Sequence, residues 1–230
     1  MNEYISQFGS NNLSDSSGFN YLGYIHFICG PMFSGKTSEL IKLKKRVELS
    51  GMSYVVIKYF KDNRFDEINK TNDLKEMNEP SICESKLYTH DKHYVNCIQS
   101  DDNCLSKTII KYKDIINDSK YIFIDEVQFY DDIGEVSDFL ANKGHVVYVF
   151  GLQGDSNRRM FESIADLFPR CEMITHLTAI DRNNGKDASF TKRKINSSEQ
   201  IIIGADDIYE AVSREYFFKN KNWYLNKFNI

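Results

Sequence analysis

The run Gly30-Pro31-Met32-Phe33-Ser34-Gly35-Lys36-Thr37 has the spacing G-x-x-x-x-G-K-S/T, and Asp125-Glu126 supplies two adjacent carboxylates further along the chain. The first pattern does phosphate chemistry. Its glycines let backbone N–H groups close around a polyphosphate, its lysine reaches the β- and γ-phosphates, and its threonine hydroxyl ligates Mg²⁺. A helix beginning there adds unpaired N–H donors and a partial positive charge. Phosphoryl transfer also needs a carboxylate to hold the hydrated metal and a group to accept the nucleophile's proton. Asp125 suits the first role and Glu126 the second. The constellation predicts use of a nucleoside triphosphate and leaves the acceptor open. Water, as in an ATPase acting on a nucleic-acid or protein partner, is served as well as an alcohol.

The elements that must position these groups are legible around them. Tyr24 to Cys29 is an apolar run of strand length, and Ser38 to Val47 reads as a helix, so the glycine run lies in a strand–loop–helix context. Ser50-Gly51 is a helix stop, followed by the β-branched run Tyr54 to Tyr59. Tyr121 to Ile124 is a strand that delivers Asp125 at its C-terminal end, where ligands bind in open α/β sheets. Lys143-Gly144 precedes another strand, Val146 to Phe150, and a last one is expected at Ile201 to Ile203. Strands separated by helix-length segments imply parallel crossovers. The fold class expected is α/β, a phosphate-loop parallel sheet flanked by helices. Residues 1–22 are rich in Asn, Ser and Gly and read as a flexible tail, and 60–80 read as a polar loop.

Composition narrows the partners. The chain has 230 residues, 41% of them hydrophobic, and a net charge of −4. That suits one globular domain with a small appendage and gives no electrostatic pull toward nucleic acid or an anionic membrane. The basic cluster from Lys42 to Arg46 reads as the solvated face of a helix. No apolar run approaches the ~20 residues of a membrane span. The cysteines Cys29, Cys83, Cys97, Cys104 and Cys171 form no C-x-x-C pair, so they are expected as reduced thiols in a cytoplasmic compartment.

The wider pattern resembles the type II thymidine kinase family. The resemblance runs in order from Gly30 to Leu40, through Ile57-Lys58-Tyr59-Phe60-Lys61-Asp62-Asn63-Arg64 and Thr89-His90-Asp91. It continues at Ile124 to Phe129, Leu177 to Ile180, Phe190 to Arg193, and Ile203-Gly204 through Tyr209. It thus covers roughly residues 23–218. It implies transfer of the ATP γ-phosphate to the 5′-hydroxyl of thymidine, giving TMP for deoxynucleotide salvage. It also implies a homotetramer, feedback inhibition by TTP, and a location in the cytoplasm, or the host cytoplasm if the chain is viral. The implied organisation is a tail at 1–22, a kinase domain at 23–175, a small lasso-containing domain at 176–218 and a tail at 219–230.

The resemblance also assigns residues. Glu126, Lys36 and Arg64 are the catalytic set. ATP is held by Gly30, Pro31, Met32, Phe33, Ser34, Gly35, Lys36 and Thr37, with Asp62, Asn63, Arg64, Asp125 and Gln128 around the phosphates. Mg²⁺ is expected on Thr37 and Asp125, partly through water. Phe129, Leu152 and Phe161 match positions of an apolar pocket, and aromatic rings suit the faces of a pyrimidine. The lasso would span roughly 186–204, with Gln200, Ile201, Ile202, Ile203 and Gly204 reading the base edge and Thr191 and Tyr209 beside it.

Two departures stand out. Family members hold a structural zinc on cysteine pairs flanking the lasso, and here those positions read Asp181, Asn184, Ser213 and Tyr216. Neutral oxygen and nitrogen donors do not replace thiolates, so zinc is not expected, and a cluster of Tyr216, Phe217, Phe218 and Trp223 is expected to stabilise the small domain instead. The second departure is Ser156, where a common family form has a substrate-contacting phenylalanine. It leaves room for deoxyuridine or a related analogue.

Overall fold

The computed structural model describes residues 23–61, 85–88, 94–194 and 208–219. Strands β1 (Tyr24–Cys29), β2 (Tyr54–Lys58), β3 (Ser85–Tyr88), β4 (Tyr94–Gln99), β5 (Tyr121–Ile124), β6 (Val146–Gly151) and β7 (Met173–His176) form one sheet in the order β3-β4-β2-β5-β6-β1-β7. All neighbouring pairs run parallel except β3 against β4. The helices are α1 (Lys36–Leu49), α2 (Leu105–Lys111), α3 (Lys113–Asp118), α4 (Ile133–Asn142), α5 (Glu162–Leu167) and α6 (Arg214–Phe218).

Strand periodicity sorts the core into two layers. Ile25, Phe27 and Cys29 of β1, Ile122 and Ile124 of β5, and Val147 and Val149 of β6 face one side. There they meet Leu105 and Ile109 of α2, Ile116 of α3, Ile133 and Leu140 of α4, and Ile164 and Leu167 of α5. Ile28, Phe123 and Phe150 face the other side and meet Leu40 and Val47 of α1. The β-branched runs therefore form strands because both their faces are buried, as parallel sheets require. The expected parallel sheet flanked by helices is what the chain adopts. The strands β3, β4 and β7 and the helices α2 and α3 were not anticipated. The edge strands β3 and β7 have four residues each, and β4 interrupts its apolar run with Asn96. The expected strand at Ile201 to Ile203 lies outside the described residues, as does Trp223.

Past β7 the chain leaves the sheet. Strand β8 (Ala179–Ile180) pairs with β9 (Asp187–Ala188), and β10 (Phe190–Arg193) pairs with β11 (Tyr209–Val212), both antiparallel. At the positions matched to zinc cysteines, the fully buried Asp181 carboxylate accepts from the Ser213 amide at 2.8 Å and from the Asn183 amide and side chain at 2.9 Å each. Asn184 Nδ2 donates to Ser213 Oγ at 3.1 Å, and Ser213 Oγ caps α6 by accepting from Tyr216 N at 3.5 Å. Both carboxylate oxygens are thus engaged by N–H donors, and these side chains do not fit a tetrahedral zinc ion. Burial pushes the Asp181 carboxyl up, but the Ser213 and Asn183 donors outweigh it and hold the pKa at about 2. Phe217 is buried against Phe190 and Phe218, so part of the expected aromatic cluster is in place. Among the described residues no helix is long and apolar enough to cross a membrane.

Candidate active site

Local geometry fixes the phosphate loop. Strand β1 ends at Cys29, in register with Gly151 at the end of β6, and the chain then turns through Gly30 to Gly35 into α1. Gly35 sits at φ 81°, a left-handed conformation that suits glycine and frees the first helical turn from any side chain of its own cap. Lys36 Nζ donates to the carbonyls of Pro31 at 2.8 Å and Gly30 at 3.3 Å, curling over the loop it belongs to.

Strand β6 separates β1 from β5, and the two motifs meet across its end. Thr37 Oγ1 donates to Asp125 Oδ2 at 3.3 Å. The other oxygen, Asp125 Oδ1, accepts the Glu126 amide at 2.9 Å. Asp125 is 2% exposed and Glu126 9%, so both carboxylates sit in a recess at the C-terminal edge of the sheet. Glu126 has φ 53°, left-handed for a residue with a Cβ. Gln128 Nε2 donates to Glu126 Oε2 at 2.5 Å, and its Oε1 accepts the Leu152 amide at 3.0 Å. A Cβ on Gly151 would lie 2.6 Å from that same Gln128 oxygen, so the close approach requires glycine.

Among the described residues the non-glycine positions with positive φ are Phe33, Glu126 and Arg158. One lies in the phosphate loop, one is the candidate proton acceptor, and one is in the turn after β6. Such conformations cost roughly 1–3 kcal/mol each and cluster where a site is held in a set shape.

Three of the expected pocket residues belong to or pack against one hydrophobic layer. Phe129 and Leu152 are half-buried against the layer that contains Phe161. Phe161 itself is 6% exposed and belongs to the core as much as to a cavity wall. Ser156 is half-buried in a turn tied by Asp155, whose Oδ1 accepts from Asn157 at 2.8 Å and Arg159 at 2.9 Å. Thr191 and Tyr209 are buried on the paired strands β10 and β11. Asp62, Asn63, Arg64 and Gln200 to Gly204 lie outside the described residues.

Two side chains at the site escaped the sequence. Tyr59 packs its ring 4.8 Å from that of Phe129 and donates its hydroxyl to Asn103 at 2.7 Å, fixing the wall behind Phe129. Burial raises its phenol pKa. Arg158 lays its guanidinium 4.6 Å from the Phe218 ring and 5.0 Å from that of Phe217, fastening the Ser156 turn to the small subdomain. Tyr59 was readable as an aromatic at a strand end inside the matched run Ile57 to Arg64, with no role assigned to it. Nothing in the sequence marks Arg158.

A family model described as thymidine kinase matches residues 23–217. The chain is 39% identical over 199 residues to a protein named thymidine kinase from Fowlpox virus (strain NVSL), covering 86% of this chain and 98% of the relative. It is 34% identical over 195 residues to one of the same name from Raccoon poxvirus, covering 85% and 97%. The figure for Vaccinia virus (strain Western Reserve) is 35% over 195 residues, again covering 85% and 97%.

Proposed function

The chain belongs to the thymidine kinase family, and from that premise we infer how its own residues carry ATP-dependent phosphorylation of thymidine to TMP. The amides from Gly30 to Thr37 and the Lys36 ammonium hold the triphosphate. Lys36 exchanges the Gly30 and Pro31 carbonyls for phosphate oxygens as ATP enters. Thr37 and Asp125, which approach each other at 3.3 Å, would hold Mg²⁺, partly through water, and the ion would neutralise charge on the phosphates. Glu126 accepts the proton of the 5′-hydroxyl, and Gln128 keeps its carboxylate aimed. Arg64, with Asp62 and Asn63, is assigned to the phosphates, where its role would be to offset charge as it shifts between donor and acceptor oxygens.

The base is enclosed by Phe129, Leu152 and Phe161, with Ser156, Thr191 and Tyr209 at its margins. Backbone groups of Gln200, Ile201, Ile202, Ile203 and Gly204 read its edge. The kinase domain at 23–175 and the small domain at 176–218 divide the work between phosphate and base. A homotetramer, inhibition by TTP and a cytoplasmic location are part of the same proposal. Zinc is not part of this account.

The observation that carries the reading is the approach of Thr37 to Asp125 at 3.3 Å beside the buried Glu126. It joins a phosphate loop to a metal-binding acid and a base in one recess. The test is incubation with γ-labelled ATP and thymidine. Label in TMP supports the reading. Release of inorganic phosphate that is indifferent to thymidine and stimulated by DNA would support a motor ATPase instead. Intact ATP binding with no turnover would mark a degenerate family member.

A further inference from the structure

The phosphate loop is tied to the small subdomain by two adjacent residues. The Met32 amide donates to Thr191 Oγ1 at 3.0 Å, a buried hydrogen bond between positions 159 apart in the chain. The next residue, Phe33, has φ 65°, and its ring packs against Ala179, Ala188 and Ala211. Those alanines come one each from β8, β9 and β11, and Ala211 lies directly opposite Thr191 in the β10–β11 register. Ala179, Ala188 and Ala211 are all buried, so their small side chains make a socket that the ring fills. Backbone in the left-handed region is costly for phenylalanine, and this packing is what offsets the cost.

Strand β10 therefore has two tasks. Thr191 holds the phosphate loop, and in the reading above the same residue borders the base. We propose that Thr191 is a positioning residue for ATP: its hydroxyl holds the Met32 amide, and with Phe33 seated in the alanine socket it couples the phosphate loop to the nucleoside beside it. The coupling half of this proposal rests on the reading that Thr191 lies at the margin of the base. Contact of thymidine with Thr191 steadies β10, and a steadier β10 holds the loop in its phosphate-accepting shape. Linkage makes the effect reciprocal, so each substrate tightens the other's binding by the same factor.

The test is Thr191→Val, which keeps the β-branched shape and removes the acceptor, with Thr191→Ser restoring it. ATP affinity of the full chain is measured by calorimetry with and without saturating thymidine. Loss of one buried hydrogen bond predicts ATP binding without nucleoside that is weaker by roughly three- to tenfold. The ratio of the two ATP affinities should move toward one, and Thr191→Ser should restore both quantities. Wild-type ATP affinity and an unchanged ratio in Thr191→Val would overturn the proposal, even if KM for thymidine rose, because Thr191 would then touch the base alone. If thermal melting shows Thr191→Val unfolded, Phe33→Leu is read the same way, and wild-type ATP affinity there overturns the proposal. Failure of the functional reading is distinct: wild-type protein would make no TMP, while the nucleoside-free ATP measurement would still report on the Met32–Thr191 contact.

Discussion

Gln128 donates its side-chain amide to Glu126 Oε2 at 2.5 Å while its carbonyl end accepts the Leu152 amide at 3.0 Å. One residue thus sets the direction of the candidate base and ties it to the chain at Leu152, just past β6. Glu126 itself holds a left-handed backbone at φ 53°.

The substitution Glu126→Gln separates aim from basicity. The new amide keeps an oxygen for Gln128 to donate to, so the recess survives and only proton acceptance is lost. The expected result is near-normal ATP binding with kcat lower by about a hundredfold or more. Steady-state kinetics with a direct ATP-binding measurement checks it. A tenfold rise in KM at unchanged kcat would show that Glu126 is not the base.

Lys36→Ala should act on the triphosphate itself. Removing the ammonium also takes a donor from the carbonyls of the buried residues Pro31 and Gly30. Calorimetry should therefore find ATP affinity lower by at least about tenfold, since a charge-assisted bond contributes roughly 1.5–3 kcal/mol.

Asp181 is the keystone of the small subdomain in the absence of thiolates. Asp181→Ala leaves the buried Ser213 amide without its acceptor, a cost on the order of 1–3 kcal/mol that chemical denaturation would read. The carboxyl is held at about 2 against an ordinary 3.8, so its charge-dependent contribution is complete above about pH 4 and is lost as pH falls through 2. The stability gap between wild type and Asp181→Asn should stay flat from neutral pH to about 5 and shrink between about 4 and 2. Bound zinc in stoichiometric amount, found by elemental analysis, would contradict this role.

Ser156→Phe should narrow the nucleoside range. One added apolar contact is worth ~1–3 kcal/mol, so the kcat/KM ratio of thymidine over deoxyuridine should rise by about tenfold. An unchanged ratio across a nucleoside panel would place position 156 away from the base.

What the sequence made legible was local. Gly30 to Thr37 and Asp125-Glu126 announce themselves because strand, loop and helix signals surround them within a few residues. The layers of the sheet follow from the same strand runs, since Phe27 and Ile28 must face opposite sides. The Met32–Thr191 bond, the Phe33 socket and the Arg158 contact with Phe217 and Phe218 depend on tertiary register, and no local pattern encodes them. The Asp181 knot was visible only as lost cysteines; that a buried carboxylate takes over as hub required the geometry of Ser213 and Asn183.

The central claim is that the thymidine 5′-hydroxyl meets Glu126 beside a triphosphate cradled at Lys36 and Thr37. A crystal structure with thymidine and a non-hydrolysable ATP analogue measures it directly. The account predicts the 5′-oxygen within about 2.6–3.2 Å of a Glu126 carboxylate oxygen and in line with the γ-phosphate. A 5′-oxygen beyond reach of Glu126 even through one water, or thymidine seated away from Phe129 and Leu152, would contradict it.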